Sequence, residues 1–325
     1  MRTGEGSISN RNFALDVFKI AAAFMVVGLH SGFLADVSSI GNYLTVNGLF
    51  RTAVPSFLLI NGFYFYPVLV KEKSAYWIKR VLYLYFFWML LYSKVWFRPS
   101  EISFIEIAQI AHTLIFGYWH LWYLSGLLLS AVLVILFKNH PPRLMIPIIL
   151  IIYVSGVIIH YTKHYHMVDN LPIIGFFTNK WFPGFLFTAF PFFYIGLVIN
   201  KLNIHERVSI KYSAGLSLIG FTLLISESYF NYIESSRYGV FVNLASLLMV
   251  CPALFLLLMN LNFRGKSKEI ASYSTGVYLI HIYILRFYHF HTDIEGTALT
   301  FMIFISSILA SYFLIKVNKR IKFIL

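Results

Sequence analysis

The sequence has almost no cysteine, few acidic residues and little charge of either sign. Cys251 is the one cysteine in 325 residues, so a disulfide within the chain is impossible and a cysteine metal cluster is excluded. It falls within an apolar run and reads as a small core residue. No metal is predicted. Charged residues make up 12% of the chain, about half the share typical of soluble domains, while 59% are hydrophobic and 19% aromatic. Glycine-rich phosphate loops, HExxH and GxSxG are all missing. A site, if the chain has one, must be assembled from membrane helices.

What is present is a series of apolar runs of spanning length, at about 13–33, 46–69, 76–97, 121–137, 144–161, 182–199, 211–230, 239–260, 271–290 and 297–316. The predicted fold is therefore all-α, a polytopic membrane protein of about ten transmembrane helices. No connection between runs is long enough for a separate soluble domain, so residues 1–325 read as a single membrane domain after a short segment 1–12. The first run is too long and too charged for a cleaved signal peptide. Segment 99–118 is apolar at helical spacing but acidic, and reads as an amphipathic stretch on the membrane surface. Loop 162–181 is the longest connection without a predicted helix.

The net charge of +13 is chiefly a topology signal. With the N-terminus in the cytoplasm, 18 of the 26 Lys and Arg residues fall on the inside and 4 on the outside. That bias supports ten spans with both ends cytoplasmic. It leaves nucleic-acid binding without support.

The first run carries Asp16, Lys19 and His30. An ionisable group inside a span is costly and marks a functional site by default. At about 100° per residue Lys19 and His30 lie within roughly 20° of one face, about 16 Å apart along the axis, with Asp16 about 40° from His30. His30 can act as a proton acceptor or simply make an interhelical hydrogen bond. In the second run Arg51 either snorkels or meets His30 or an anionic group, and Asn61-Gly62 brings an amide and a close-packing point to mid-membrane. Trp119, Trp122 and Tyr123, in GYWHLWYL, suit an interfacial aromatic belt or a platform for sugar rings, and His120 among them is either a belt residue or a second polar group at the mouth of a site. His281 lies mid-span, five residues before Arg286, and the two point in different directions on a helix.

Taken in order, these blocks resemble the integral-membrane acyltransferase family known as the acyltransferase three group, whose members O-acetylate bacterial surface glycans. Asp16, Phe18-Lys19 and His30 resemble its opening signature of an aspartate, a basic residue, ten residues and a histidine. AVPSFLLINGFYF from Ala53, WIKRVLYLYFFW from Trp77, HLWYL from His120, AFPFFYIGL from Ala189 and STGVYLIHIYIL from Ser274 resemble further blocks. The family usually has arginine at Lys19, so a bidentate anion contact becomes a point charge. Tyr83 stands where a second arginine often follows Arg80, and Phe182-Pro183-Gly184 replaces an arginine common before the sixth helix.

The resemblance implies acetyl-CoA as the acyl donor, approaching from the cytoplasm, where Lys19, Lys79 and Arg80 meet its phosphates. It implies a hydroxyl on an exported or lipid-linked glycan as acceptor, at a bacterial inner membrane. His30 would then be general base or transient acyl carrier, with Arg51, Asn61 or His120 as donors to the oxyanion. The competing class is a small-molecule transporter whose pathway is lined by the Asp16, Lys19 and His30 stripe.

Overall fold

A computed structural model describes residues 12–97, 103–167, 184–234, 242–261 and 268–325. Among these residues every element is helical. Apart from two single helical turns, Ser93–Trp96 and Ile204–Arg207, the α-helices in chain order are α1 (Phe13–Ser31), α2 (Ser39–Val46), α3 (Ala53–Val70), α4 (Ser74–Leu91), α5 (Phe104–Phe116), α6 (Trp122–Leu136), α7 (Pro142–His164), α8 (Phe190–Lys201), α9 (Ile210–Ile233), α10 (Leu247–Asn260), α11 (Lys268–His291) and α12 (Gly296–Asn318). Single 3-10 turns, Leu49–Thr52 and Trp119–Leu121, lead into α3 and α6, and a π-turn, Phe185–Ala189, leads into α8.

Among the described residues, six helical stretches are long and apolar enough to cross a membrane: Phe13–Ser31, Ser39–Val70, Trp119–Leu136, Pro142–His164, Ile210–Ile233 and Gly296–Asn318. This is fewer than the ten runs read from the sequence, although each of the ten contains a helix. The difference has two causes. Helices α4 and α11 are long but dilute their apolar residues with Tyr, Lys, Arg and His. Helices α8 and α10 have only 12 and 14 residues.

Helix α5 has no buried residue. Ser103 caps it by accepting from the Glu106 N–H at 3.2 Å, and the Tyr85 hydroxyl tethers it by donating to the Leu114 carbonyl at 2.9 Å. Most of the long loop read at 162–181 lies outside the described residues; its start belongs to the end of α7.

Glycine sets how closely the helices approach. A Cβ at Gly62 on α3 would fall 1.8 Å from the Phe193 carbonyl oxygen, and one at Gly196 on α8 would fall 1.9 Å from that of Leu59. The two backbones therefore touch, as small residues allow in membrane bundles. Asn200 locks the pair by donating to the Phe63 carbonyl at 2.8 Å. The same device brings Gly220 of α9 against Val250 of α10. Cys251, fully buried beside them, donates weakly to the Thr52 carbonyl at 3.8 Å.

Helix α1 packs against α3, α11 and α12, and both of its ends are fixed. Asn12 caps the start by accepting from the Leu15 N–H at 3.0 Å and donating to the Leu258 carbonyl at 2.8 Å. At the other end Gly32 turns left-handed at φ 73°, and its N–H returns to the Gly28 carbonyl, the usual glycine stop. Ser31 and Thr300 share a hydrogen bond of 2.6 Å. Asp36 beyond the helix accepts from the Thr297 N–H at 2.8 Å and hydroxyl at 2.7 Å. These contacts hold the residue just before Ser31 in one place.

Candidate active site

That residue is His30. Its ring lies 5.4 Å, centroid to centroid, from the His281 ring on α11, and the His281 ring lies 5.1 Å from His120. Three imidazoles from three distant parts of the chain thus form a row. Trp119 closes one end with its ring edge-on to His30 at 5.5 Å, and Tyr92 closes the other at 5.1 Å from His120.

Local backbone chemistry explains how Trp119 and His120 reach the row. Gly117 has φ 88°, and a Cβ there would strike the backbone of Leu121 and Trp122 at 2.7 Å. Trp119 itself has φ 44°, a conformation uncommon for a bulky residue and typical of functional sites. This tight turn separates neighbouring aromatics. Trp119 goes to His30, while Trp122 packs on the π-turn side, where a Cβ on Gly184 would meet its ring at 2.7 Å. The sequence reading put both tryptophans at one platform, and the structure brings only Trp119 to the histidines.

The polar atoms of the row are notable for what they lack. His281 Nδ1 faces the carbonyls of Tyr278 at 2.7 Å and Val277 at 3.2 Å. A carbonyl can only accept, so Nδ1 carries the proton and Nε2 is left as an acceptor. That Nε2, and both ring nitrogens of His120, are buried with no well-aligned hydrogen bond among the described residues, the Leu279 carbonyl lying close to the His120 ring. Buried polar atoms are nearly always satisfied in folded proteins. A cluster of three unsatisfied ring nitrogens beside His30 is where a hydroxyl or carbonyl of a substrate would find partners.

Below the row lies a cavity of about 330 Å³, at the low end of the range for small-molecule sites. Lys19 and Arg80 stand on its wall, with Tyr64 and Trp77; Asn61, Tyr123 and Tyr278 also line it. Asn61 Nδ2 donates to the Tyr123 hydroxyl at 2.8 Å and to the Phe57 carbonyl at 2.8 Å. Tyr278 joins cavity and row: its hydroxyl donates to the His120 carbonyl, and its ring lies 5.5 Å from that of His120 and 6.2 Å from that of His281. Sequence reasoning missed Tyr278 and Tyr92. The available signal was the three-residue spacing of Tyr278 and His281, which puts them on one helix face.

Two sequence-predicted residues, Asp16 and Lys79, stand away from the row. Asp16 accepts from Lys19 Nζ at 3.0 Å, one turn away. A shared stripe on α1 is not a shared site, because fourteen residues of helix separate Asp16 from His30 by about 21 Å. Lys79 is exposed, points over the Tyr83 ring at 5.7 Å and does not line the cavity. Arg51 does not snorkel outward. Its Nη2 donates to Asn47 at 2.9 Å, its Nε is buried without a partner, and it lies within electrostatic range of His30. Among the described residues, no group of three or more His, Cys, Asp or Glu is arranged to hold a metal ion.

A family model of the acyltransferase domain matches residues 12–316, which takes in the whole row and all of the cavity wall but Phe323 and Leu325. The chain is 24% identical over 301 residues to an amino-acid racemase of Enterococcus faecalis, a match covering 87% of this chain and 42% of that protein. It is likewise 24% identical over 304 residues to a serine/alanine racemase of Enterococcus gallinarum, covering 86% and 42%. The chain thus spans less than half the length of the curated relatives it matches. No solved structure matches it.

Proposed function

The chain belongs to the acyltransferase domain family, which makes it an acyltransferase, and from that premise we propose what it transfers and to what. It moves an acetyl group from acetyl-CoA to a hydroxyl of a bacterial cell-surface glycan such as O-antigen, common antigen, capsule or exopolysaccharide. The protein sits in the inner membrane with ten spans and both termini in the cytoplasm, as the distribution of 18 inside and 4 outside Lys and Arg residues favours.

The observation that carries this reading is the junction at Tyr278 between a cavity with a basic wall and a row of unsatisfied imidazoles. Acetyl-CoA has anionic phosphates at one end and a slender thioester arm at the other. Lys19 and Arg80 suit the first. The aromatic cavity walls suit the second, and a volume of about 330 Å³ holds the arm rather than the whole coenzyme.

His30 takes the proton from the acceptor hydroxyl. The freed oxygen bonds to the acetyl carbon, the carbon–sulfur bond breaks, and the coenzyme thiolate recovers the proton from His30. His281 is a positioning residue, because its fixed tautomer offers Nε2 as an acceptor toward the row. Asn61 spends both amide hydrogens on the Phe57 carbonyl and the Tyr123 hydroxyl, and so orients Tyr123, whose own hydroxyl proton can be donated to the developing oxyanion in the cavity. The exposed Trp119 beside His30 gives the acceptor sugar a stacking face.

A second reading draws on the relatives named as racemases. In it the membrane unit delivers a small substrate, such as serine or alanine, along the face of α1. The two separate cleanly in proteoliposomes. The acyltransferase labels an added glycan from radiolabelled acetyl-CoA, and His30→Ala abolishes the labelling while the protein stays inserted. Labelled serine or alanine crossing the membrane with no acetyl-CoA present, together with unlabelled glycan, would overturn the enzyme reading in favour of transport.

A further inference from the structure

Among the described residues, Arg51 is the one cation at the His30 end whose setting has no structural explanation. It leaves the 3-10 turn Leu49–Thr52 half-buried, with its Nε shut off from solvent. The only described partner of its guanidinium is the neutral Asn47 oxygen at 2.9 Å, and Nε is buried with nothing to bond. A buried charge is normally paired, since removal from water costs several kcal/mol. Helix α9 packs against this turn, but its Glu227 is fully occupied. That carboxylate accepts from the Tyr161 hydroxyl at 2.5 Å, the Ala245 N–H at 2.7 Å, and the Ser246 N–H at 2.9 Å and hydroxyl at 2.5 Å.

The neighbourhood is otherwise made of further hydrogen-bonding rings. Arg51 is within electrostatic range of both His30 and His160. His160 stacks on His164 at 5.4 Å, and its Nδ1 is also buried without a partner. A guanidinium Nε beside His30, and an imidazole Nδ1 within electrostatic range of that guanidinium, both without a partner among the described residues, are the donor set that an anionic oxygen would satisfy.

We infer that Arg51, with His160, forms a subsite for an anionic group of the acceptor, a carboxylate or a phosphate held close to the hydroxyl that reacts at His30. This rests on the acyltransferase reading and narrows its substrate class to anionic acceptors. A glycan carboxylate and the phosphate of a lipid carrier share the chemistry, and the test tells them apart.

Three acceptors suffice: an oligosaccharide containing glucuronic acid, the same oligosaccharide with its carboxyl reduced, and that neutral form linked to isoprenyl phosphate. The reconstituted wild-type chain prefers one of the two anionic acceptors over the neutral one by about 10- to 100-fold in kcat/KM, the range of a charge-assisted hydrogen bond. Arg51→Gln removes the preference by raising KM for the anionic acceptor, and Arg51→Lys keeps part of it. Equal use of all three by wild type, or an unchanged preference in Arg51→Gln, overturns the subsite.

If none of the three is acetylated, the acetyl-transfer reading fails by itself and binding decides the subsite. Glucuronate or isoprenyl phosphate then raises the thermal midpoint of wild type and leaves that of Arg51→Gln unmoved, with glucose as the neutral control. No shift, or the same shift in both proteins, overturns it.

Discussion

The two ends of α1 carry polar groups on one face, but they are treated in opposite ways. At the Lys19 end the ionised groups answer one another, with Nζ 3.0 Å from the Asp16 carboxylate beside the cavity. At the His30 end the rings touch, yet the ring nitrogens of His120 and His281 Nε2 have no well-aligned hydrogen bond among the described residues. A paired group inside a membrane protein is compatible with stability alone. An unpaired one adds nothing to stability, so it points to a ligand. On the proposed function the chemistry belongs to the His30 end, and the Lys19 end is a wall for the acyl donor that arrives there.

The largest expected effect breaks that contrast directly. His30→Ala removes the proton acceptor and lowers acetyl transfer by about 10²- to 10⁴-fold, the usual contribution of general acid–base catalysis, with the melting temperature unchanged or raised. Rates are measured by transfer of labelled acetyl groups to glycan. A mutant with full activity ends the assignment of chemistry to this end.

Next in size is His281→Leu. It deletes the neighbour whose Nε2 is set by the Tyr278 and Val277 carbonyls while leaving His30 in place. The expected result is a fall of about 10- to 100-fold in kcat with little change in KM for acetyl-CoA, on the scale of lost positioning. A rise in KM with kcat intact would make His281 a binding residue instead.

The Lys19 end responds differently. Asp16→Asn strips Lys19 of its carboxylate and lowers stability by about 1–3 kcal/mol, less than a fully buried pair would lose because Lys19 is 15% exposed. Asp16→Asn combined with Lys19→Met recovers the stability but not the affinity for acetyl-CoA. Denaturant melts and KM values measure the two separately, and recovery of both would show that the pair serves the fold alone.

The sequence made one half of this contrast easy to see. An aspartate, a lysine and a histidine inside a 21-residue apolar run stand out because ionisable groups are rare there, and helical geometry alone gives their common face. The other half depends on packing over long sequence distances. His281 is 251 positions from His30, and nothing local says that α11 lies against α1. The split of Trp119 from Trp122 hangs on a left-handed backbone at Trp119, which no propensity for tryptophan suggests. Lys79 follows the same logic: one step along α4 separates it from Arg80, and on a helix that step turns it by about 100° out of the cavity. Each of the ten runs holds a helix, and those that fall short of a span by length or apolarity do so because α11 holds the polar residues of the site and α8 and α10 are short.

The smallest effect concerns how the His30 end is held. Asp36 lies outside the spans, and the Thr297 hydroxyl and N–H that bond to it hold its carboxyl below the usual carboxylate range. A carboxylate depressed in the folded state contributes stability that is fully present above its unfolded value of about 3.9 and lost as pH falls through the lower folded value. Stability from this contact is therefore constant from neutral pH down to about 5 and declines only in stronger acid. Asp36→Asn should lower the melting temperature slightly at pH 7 and flatten its decline below pH 4. A matched experiment at Lys19 has no counterpart to this anchor, since the Lys19 end is closed by the Asn12 amide on the Leu258 carbonyl. If Asp36→Asn also reduced acetyl transfer at pH 7, the anchor between α1 and the start of α12 would be setting the position of His30 as well as the stability of the turn beyond it.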